Sequence, residues 1–530
     1  MSLSRARAWE ELGAGLFDVF VIGGGIIGSR VAFDAARYGL RVALVEAGDF
    51  GGATSGASAR LIHGGLRYLG QGDFRLVRAA LRERDVLASR IAPHLVRPQP
   101  FVLSVAGGRR ERSRCAAGLL LYTAIGGLRL PLPRFVSREE AAFLVPPLRT
   151  DGLASHALFH EAATDDSRLT LATVTAAARS GVVVLNYVRV ANLEPGVVSR
   201  VALRGPEGTL VVRCRAVVNA TGPWVDRVRK LEDPGCGPIA RLSKGVHVVL
   251  RPAEAWRAAL AVSLEDGNHF YAVPCEDTVL LGTTDEEYEG DPARVAAEPD
   301  DVSHLLLRSG QILDQGMLGE ERVISAFAGL RVLPLGEGAT LDARRDHLLS
   351  VGTGGMVSVA GGKLTTHRRI ALDVLRHLPD AVRPRNLRLG QDPLPGASFS
   401  CTRDQFPCVD VTAMDHLCHH YGGEASKLLA YRGEFPHAFD RIIAGAPDLW
   451  AQVYHAIREE WAVTAEDVIH RRTTLGLRGL DSPEIRRTVS TFLDPGLDVL
   501  QGRRGQGDSH RPMGPTVTAR YRADEERRIT

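Results

Sequence analysis

Apolar and polar positions along this chain switch between two periods, and the switches mark out its elements. Residues 17–22, Phe-Asp-Val-Phe-Val-Ile, form a short apolar run that reads as a buried strand. It feeds into Gly23-x-Gly25-x-x-Gly28, apolar residues then recur at helical spacing, and a second strand-like run ends in Val45-Glu46. Strand, tight glycine turn, helix, strand, acid is the order of a dinucleotide-binding unit. Gly23 permits the turn, Gly25 lets the backbone approach a pyrophosphate, and Gly28 lets the helix pack close to the sheet. The helix then faces the diphosphate with unpaired N–H groups and the positive end of its dipole. Glu46 is placed to accept from an adenosine ribose 2′-hydroxyl, and an acid there disfavours a 2′-phosphate.

The pattern then leaves simple periodicity. Residues 47–67 are rich in Gly, Ser, Thr and Ala, a long connection with little side chain, suited to run beside a bulky cofactor. His63, Arg67 and Tyr68 break that composition with polar groups. Helical spacing returns over 74–91 and again over 162–179. Strands are expected at 181–185, 198–203, 210–213, 239–250, 269–274, 279–285 and 348–352. Ala216-Val-Val-Asn-Ala-Thr-Gly-Pro-Trp224 and Gly361-Gly-Lys-Leu-Thr-Thr366 are small-residue passages from strand to helix that can edge a backbone against a ligand.

These patterns predict an α/β protein: a Rossmann-type nucleotide-binding domain with an inserted, largely antiparallel-sheet domain and a C-terminal helical domain. The expected segments are 17–95, 151–238 and 324–385 for the nucleotide-binding domain and 239–323 for the inserted substrate domain. An insert at 96–150, a proline-containing linker at 386–400, helices over 401–500 and a polar, mobile tail at 501–530 complete the chain. Thr464-x-x-Asp467 is a capping-box candidate within the helical part.

Within 96–150, Arg109, Arg110, Arg112 and Arg114 precede the apolar run CAAGLLLYTAIGGL. A basic cluster beside an exposed apolar helix suits contact with a membrane surface; an ordinary buried helix flanked by solvated arginines fits the same letters. No stretch approaches the roughly 18 apolar residues that crossing a bilayer needs, and residues 1–15 lack the apolar core of a signal peptide. The net charge of +3 gives no reason to expect nucleic acid. Seven cysteines without a CxxC pair argue for a reducing compartment, and against a disulfide framework or a zinc site. No metal ligands are expected.

Taken together, several stretches give the chain a family likeness: Gly23-Gly-Gly25…Gly28, Ser58-Ala-Arg-Leu-Ile-His-Gly-Gly-Leu-Arg-Tyr-Leu69, Val218-Asn-Ala-Thr-Gly-Pro-Trp224, Lys244-Gly-Val-His247, Gly282-Thr-Thr-Asp285, Gly329-Leu-Arg331, Arg345-Asp346 and Gly361–Thr366. The chain resembles the FAD-dependent, respiratory glycerol-3-phosphate dehydrogenases from about residue 17 to 385, and again at 451–477. The segment Leu61-Ile-His-Gly-Gly-Leu-Arg-Tyr-Leu69 is its most specific part. The chain departs from the family pattern at Val246, where a serine is frequent, at Ala59, where a second serine is expected, and at Cys275, where a tryptophan is expected.

The resemblance implies noncovalent FAD held by Gly23, Gly25, Gly28, Glu46, Thr54, Ser55, Ser58, His63, Gly64, Gly65, Leu66, Gly222, Gly362, Lys363, Leu364 and Thr365. It implies sn-glycerol 3-phosphate as substrate, its phosphate bound by Arg67, Arg331 and Arg345, with Arg344 the alternative to the last. Planar, permanently charged guanidinium groups are what a phosphate calls for. Oxidising a secondary alcohol also needs a proton acceptor, and His63, His247 and Lys363 are the candidates. The further expectations are a peripheral protein on the cytoplasmic face of the cell membrane, electrons passed to membrane quinone, and a homodimer. The alternatives are an oxidase that uses oxygen and releases peroxide, and a non-catalytic flavin-binding redox module.

Overall fold

A computed structural model of the chain describes residues 4–70, 72–106, 108–127, 130–151, 153–263, 269–336, 346–398 and 409–501. The tail expected to be mobile lies, beyond residue 501, outside the described residues.

The apolar run Leu16–Ile22 is the spine of an eight-stranded sheet. It pairs in parallel with Val42–Val45 on one side and with Gly208–Asn219 on the other. Val183–Leu185 and Val357–Gly361 extend the parallel part, and His347–Val351 closes one edge antiparallel. Parallel strands are buried on both faces, which is why they read as continuous apolar runs: Phe17, Val19, Phe20 and Val21 are fully buried. Ile26–Arg37, Asp166–Arg179 and His367–Arg376 are helical, and their apolar residues share one core with the sheet.

A second, ten-stranded sheet carries Ala240–Leu250 near one end, between Val323–Pro334 and Thr278–Gly282, both antiparallel to it. Its pairings are antiparallel except that Ala259–Ser263 runs parallel to Val96–Ala106. Two stretches assigned elsewhere by the apolar pattern join this sheet. Val96–Ala106 and Leu153–Thr164 form a long ladder, and Val323–Pro334, expected in the nucleotide-binding part from residue 324, pairs along the whole of Ala240–Leu250. Neither move is visible locally, because pairing partners in an antiparallel sheet are set by long-range register. The short strand Leu61–Ile62 pairs with Leu153–Thr164, so the glycine-rich connection after Glu46 bridges the two sheets and delivers His63 between them.

The C-terminal part is helical, with Val411–Tyr421, Trp450–Glu459 and Pro483–Gln501 as its longer helices. The capping box forms as expected: Asp467 N–H donates to Thr464 Oγ1 at 3.2 Å, and Thr464 N–H donates to Asp467 Oδ2 at 2.9 Å. Cys115, Cys214, Cys236 and Cys275 are free thiols. Cys418 is in a disulfide, a departure from the fully reduced set expected. Among the described residues no helix is long and apolar enough to cross a membrane.

Candidate active site

One large cleft runs between the sheets. Gly23, Gly25, Glu46, Thr54, Ser55 and Ser58 line it from the nucleotide side, and His63, Gly65, Leu66 and Gly222 continue that wall. Gly362, Lys363, Leu364, Thr365, His247 and Arg331 also line it. Gly64 is tied to the same loop through its amide, as described below. Arg67 lies on the short helix Leu66–Gly70, but its side chain falls outside the description, as do Arg344 and Arg345 entirely. Of the three arginines expected to meet phosphate, Arg331 is the one the structure places.

The nucleotide end is built of backbone. Gly23 has φ +108°, and a Cβ there would lie 2.5 Å from the Ala220 carbonyl oxygen. A side chain on Gly28 would strike the carbonyl of Gly23, so the turn and the helix close on each other only as glycines. Ser55 Oγ accepts from the Ile26 N–H at 3.0 Å, in the first turn of the helix. A hydroxyl therefore stands where the helix offers its orphan amides to an anion. Glu46 accepts from Gly24 N–H at 2.7 Å and Gly48 N–H at 2.8 Å. Burial raises its pKa, while these backbone donors oppose the rise. With four lone-pair sites on its two oxygens, such a carboxylate has acceptor capacity for ribose hydroxyls as well. The glycine cradle, the serine at the helix start and the acid fit the adenosine and pyrophosphate of FAD.

The loop after Glu46 is held by groups that spacing does not reveal. Thr54 Oγ1 donates to the Leu330 carbonyl at 2.7 Å, Ser58 N–H to Asp166 at 3.0 Å, and His63 N–H to Thr365 Oγ1 at 3.2 Å. Gly64 N–H donates to Glu161 at 3.4 Å. Glu161 is buried and also takes Arg84 at 2.9 Å and the Tyr122 hydroxyl. Further back, Asp49 accepts from Arg471 and from both ends of the fully buried Arg472 guanidinium. These two arginines lower the Asp49 pKa against the opposing effect of burial. The C-terminal helical part thus grips the cofactor loop.

The other wall is built of side chains. Strand alternation puts Gly245 and His247 on one face of Ala240–Leu250 and Val246 on the other, where it is fully buried in the sheet's core. The departure at Val246 therefore touches packing, not the cleft. Gly245 is required by its neighbour: a Cβ there would overlap the Arg331 guanidinium, with Cζ at 2.6 Å. Arg331 donates to Ser243 Oγ at 3.2 Å, Thr283 Oγ1 at 2.7 Å and the Thr284 carbonyl at 2.9 Å, and lies 3.9 Å from Asp285. Ser243 and Asp285 are joined at 2.6 Å, so the guanidinium sits in a fixed frame drawn from two other segments.

His247 is 4% exposed and stacks on Phe327 with ring centroids 5.2 Å apart. Among the described residues neither of its buried ring nitrogens has a hydrogen-bond partner, an exception of the sort that marks a ligand-facing group. Burial first, and Arg331 second, hold its pKa down at about 3, so it is neutral near pH 7. Lys363 Nζ lies 3.7 Å from the centroid of the Tyr68 ring and within 3.5 Å of the Cβ position of Gly65. Thr283, Asp285 and Arg331 stand in stretches that carry the family likeness, whereas the buried Arg84–Glu161–Tyr122 cluster shows in the sequence only as isolated letters.

Residues 18–368 match the family described as FAD dependent oxidoreductase, and residues 391–496 match the C-terminal domain of alpha-glycerophosphate oxidase. The chain is 34% identical over 515 residues to glycerol-3-phosphate dehydrogenase 2 of Mycobacterium tuberculosis, covering 92% of this chain and 87% of that protein. It is 34% identical over 510 residues to glycerol-3-phosphate dehydrogenase of Synechocystis, covering 89% of this chain and 91% of the relative. The fold is similar to that of glycerol-3-phosphate dehydrogenase from Bacillus halodurans, solved with FAD, at a TM-score of 0.73 and 24% identity over 95% of this chain and 99% of that one. A glycine cradle for FAD and a match that runs through both sheets into the helical region place this chain in the FAD-dependent glycerol-3-phosphate dehydrogenase family.

Proposed function

We propose that the protein oxidises sn-glycerol 3-phosphate to dihydroxyacetone phosphate and passes the electrons to a membrane quinone. The observation that carries this reading is His247, a neutral imidazole buried in the cleft with neither nitrogen engaged, beside the framed guanidinium of Arg331. When bound, FAD supplies a two-electron acceptor for the hydrogen on C2.

The chain's own residues do the rest. Arg331 offers the phosphate a charge-assisted contact, and Arg67 and Arg345 are its proposed companions. His247 accepts the C2 hydroxyl proton as hydrogen leaves the carbon, because its lone pairs are available at neutral pH. A phosphate dianion beside Arg331 offsets the charge that, after burial, holds His247 acidic, so substrate binding raises the basicity of its own base. His63 shapes the wall of the cleft. Lys363 places a cation, and His367–Arg376 a helix N-terminus, at the passage Gly361–Thr366, where both would favour negative charge on a bound cofactor.

Quinone is favoured over oxygen by the helix Arg109–Ile125. It leaves Arg109, Arg110, Arg112 and Arg114 exposed, with Leu120 55% and Leu121 45% exposed farther along, and nearby Leu132 63% exposed. Cations and apolar side chains on one surface suit anionic lipid. Anaerobic mixing of the purified flavoprotein with glycerol 3-phosphate tests the reading. Bleaching of the flavin absorption that a soluble quinone reverses quickly and oxygen scarcely reverses is the expected result. Rapid reversal by oxygen with release of peroxide would make the protein an oxidase, and the absence of bleaching would overturn the substrate.

A further inference from the structure

Away from the cleft, the helix Val411–Tyr421 carries His416 and His420, both buried. Residues four apart share one helix face, and two histidines at that spacing can converge on one ion. His416 Nε2 lies 3.1 Å from Asp448 Oδ1, which leaves Nδ1 as its other donor atom, and that atom is buried with no hydrogen-bond partner. His420 Nδ1 lies 3.0 Å from the His416 carbonyl, so Nδ1 carries the hydrogen and the lone pair is on Nε2.

The surroundings are those of a metal ligand set. Asp448 fixes the His416 ring while itself accepting from Thr474 N–H at 2.9 Å and Thr474 Oγ1 at 2.7 Å, and a carboxylate behind a ligating histidine orients it and raises its basicity. A third group arrives from a different part of the chain. Glu276 is exposed, in the turn between His269–Cys275 and Thr278–Gly282, with φ +56°. One donor atom from each of Glu276, His416 and His420 lies within 4.8 Å of the other two. Glu276 Oε2 takes Arg478 at 3.0 Å, and Oε1 is its second acceptor.

We propose that Glu276, His416 and His420 form a site for a divalent transition metal of the zinc class, which ties the C-terminal helical part to a turn of the ten-stranded sheet. Two imidazoles and one carboxylate are a borderline donor set with a fourth position open to water. The other carboxylate–histidine group, Glu466, His470 and Asp481, differs in that His470 Nε2 already faces Asp481 at 2.9 Å and Arg486 joins Asp481 to Glu466. It is an ion-pair network.

The test uses full-length holoprotein stripped with a chelator and titrated with zinc chloride, with cobalt(II) as the spectroscopic probe. The wild type is expected to take up one equivalent, to show ligand-field absorption to the red of the flavin bands with cobalt, and to gain thermal stability. Glu276→Ala and His420→Gln are expected to weaken uptake at least ~10-fold and to abolish the stability gain, and Asp481→Asn to leave both intact. If the buried-histidine variant fails to fold, the exposed Glu276→Ala carries the test alone. The proposal is overturned by the absence of saturable uptake, by uptake that Glu276→Ala leaves unchanged, or by uptake that Asp481→Asn removes.

Discussion

The two sheets meet at one cleft but contribute to it in opposite ways. The parallel sheet offers backbone: glycines at 23, 25 and 28 whose missing side chains are the functional feature, and amides at the start of a helix. The antiparallel sheet offers side chains, with His247 and Arg331 held in place by partners on adjacent strands. A backbone site can be damaged by adding atoms, whereas a side-chain site is damaged by removing them.

That contrast sets the order of its tests. Gly28→Val drives a branched side chain into the Gly23 carbonyl and is expected to abolish flavin retention, read from the absorption spectrum and protein-to-flavin ratio of the purified protein. Retained flavin would break the comparison outright. Arg331→Ala should keep the flavin yet lower kcat/KM for glycerol 3-phosphate by roughly 100-fold or more, since contacts to charged groups contribute about 1.5–3 kcal/mol each. Loss of flavin in that variant would show that the two walls are not separable. Leu120→Glu with Leu121→Glu changes a surface belonging to neither wall, and is expected to weaken binding to anionic vesicles about tenfold while turnover with a soluble quinone is unchanged. Val246→Ser sits on the far face of the strand that carries His247. It should cost about 1–3 kcal/mol of stability by denaturant unfolding, with kcat/KM within about twofold of wild type. A large kinetic effect would mean that the core face reaches the site.

The same contrast explains what could be read from the letters. The turn at Gly23–Gly28 and the acid at Glu46 are local, and their spacing alone announces a dinucleotide. The frame of Arg331 is not local: Ser243 precedes it by 88 residues, and Thr283 and Asp285 come from another segment. His247 and Arg331 are therefore legible as candidate site residues only through family likeness. Val96–Ala106 does not read as a strand because Pro98 and Pro100 interrupt its pattern, although both are accommodated in the ladder with Leu153–Thr164. His416 and His420 stood at helical spacing in plain view, yet nothing in the sequence brings Glu276 or Asp448 to them.

The Asp49–Arg471–Arg472 clasp bears on how the protein is made. The glycine turn leaves the ribosome more than three hundred residues ahead of the strand Val357–Gly361 that borders Gly208–Asn219, and the partners of Asp49 lie 422 and 423 positions downstream of it. A nascent chain grown as far as residue 400 holds the glycine turn and the acid while the Asp49 carboxylate beside them still lacks Arg471 and Arg472. Closing so long a loop is entropically costly only logarithmically, yet it cannot begin before the residues between its two ends have been made. In this chain the element announced first by the sequence is among the last to be completed.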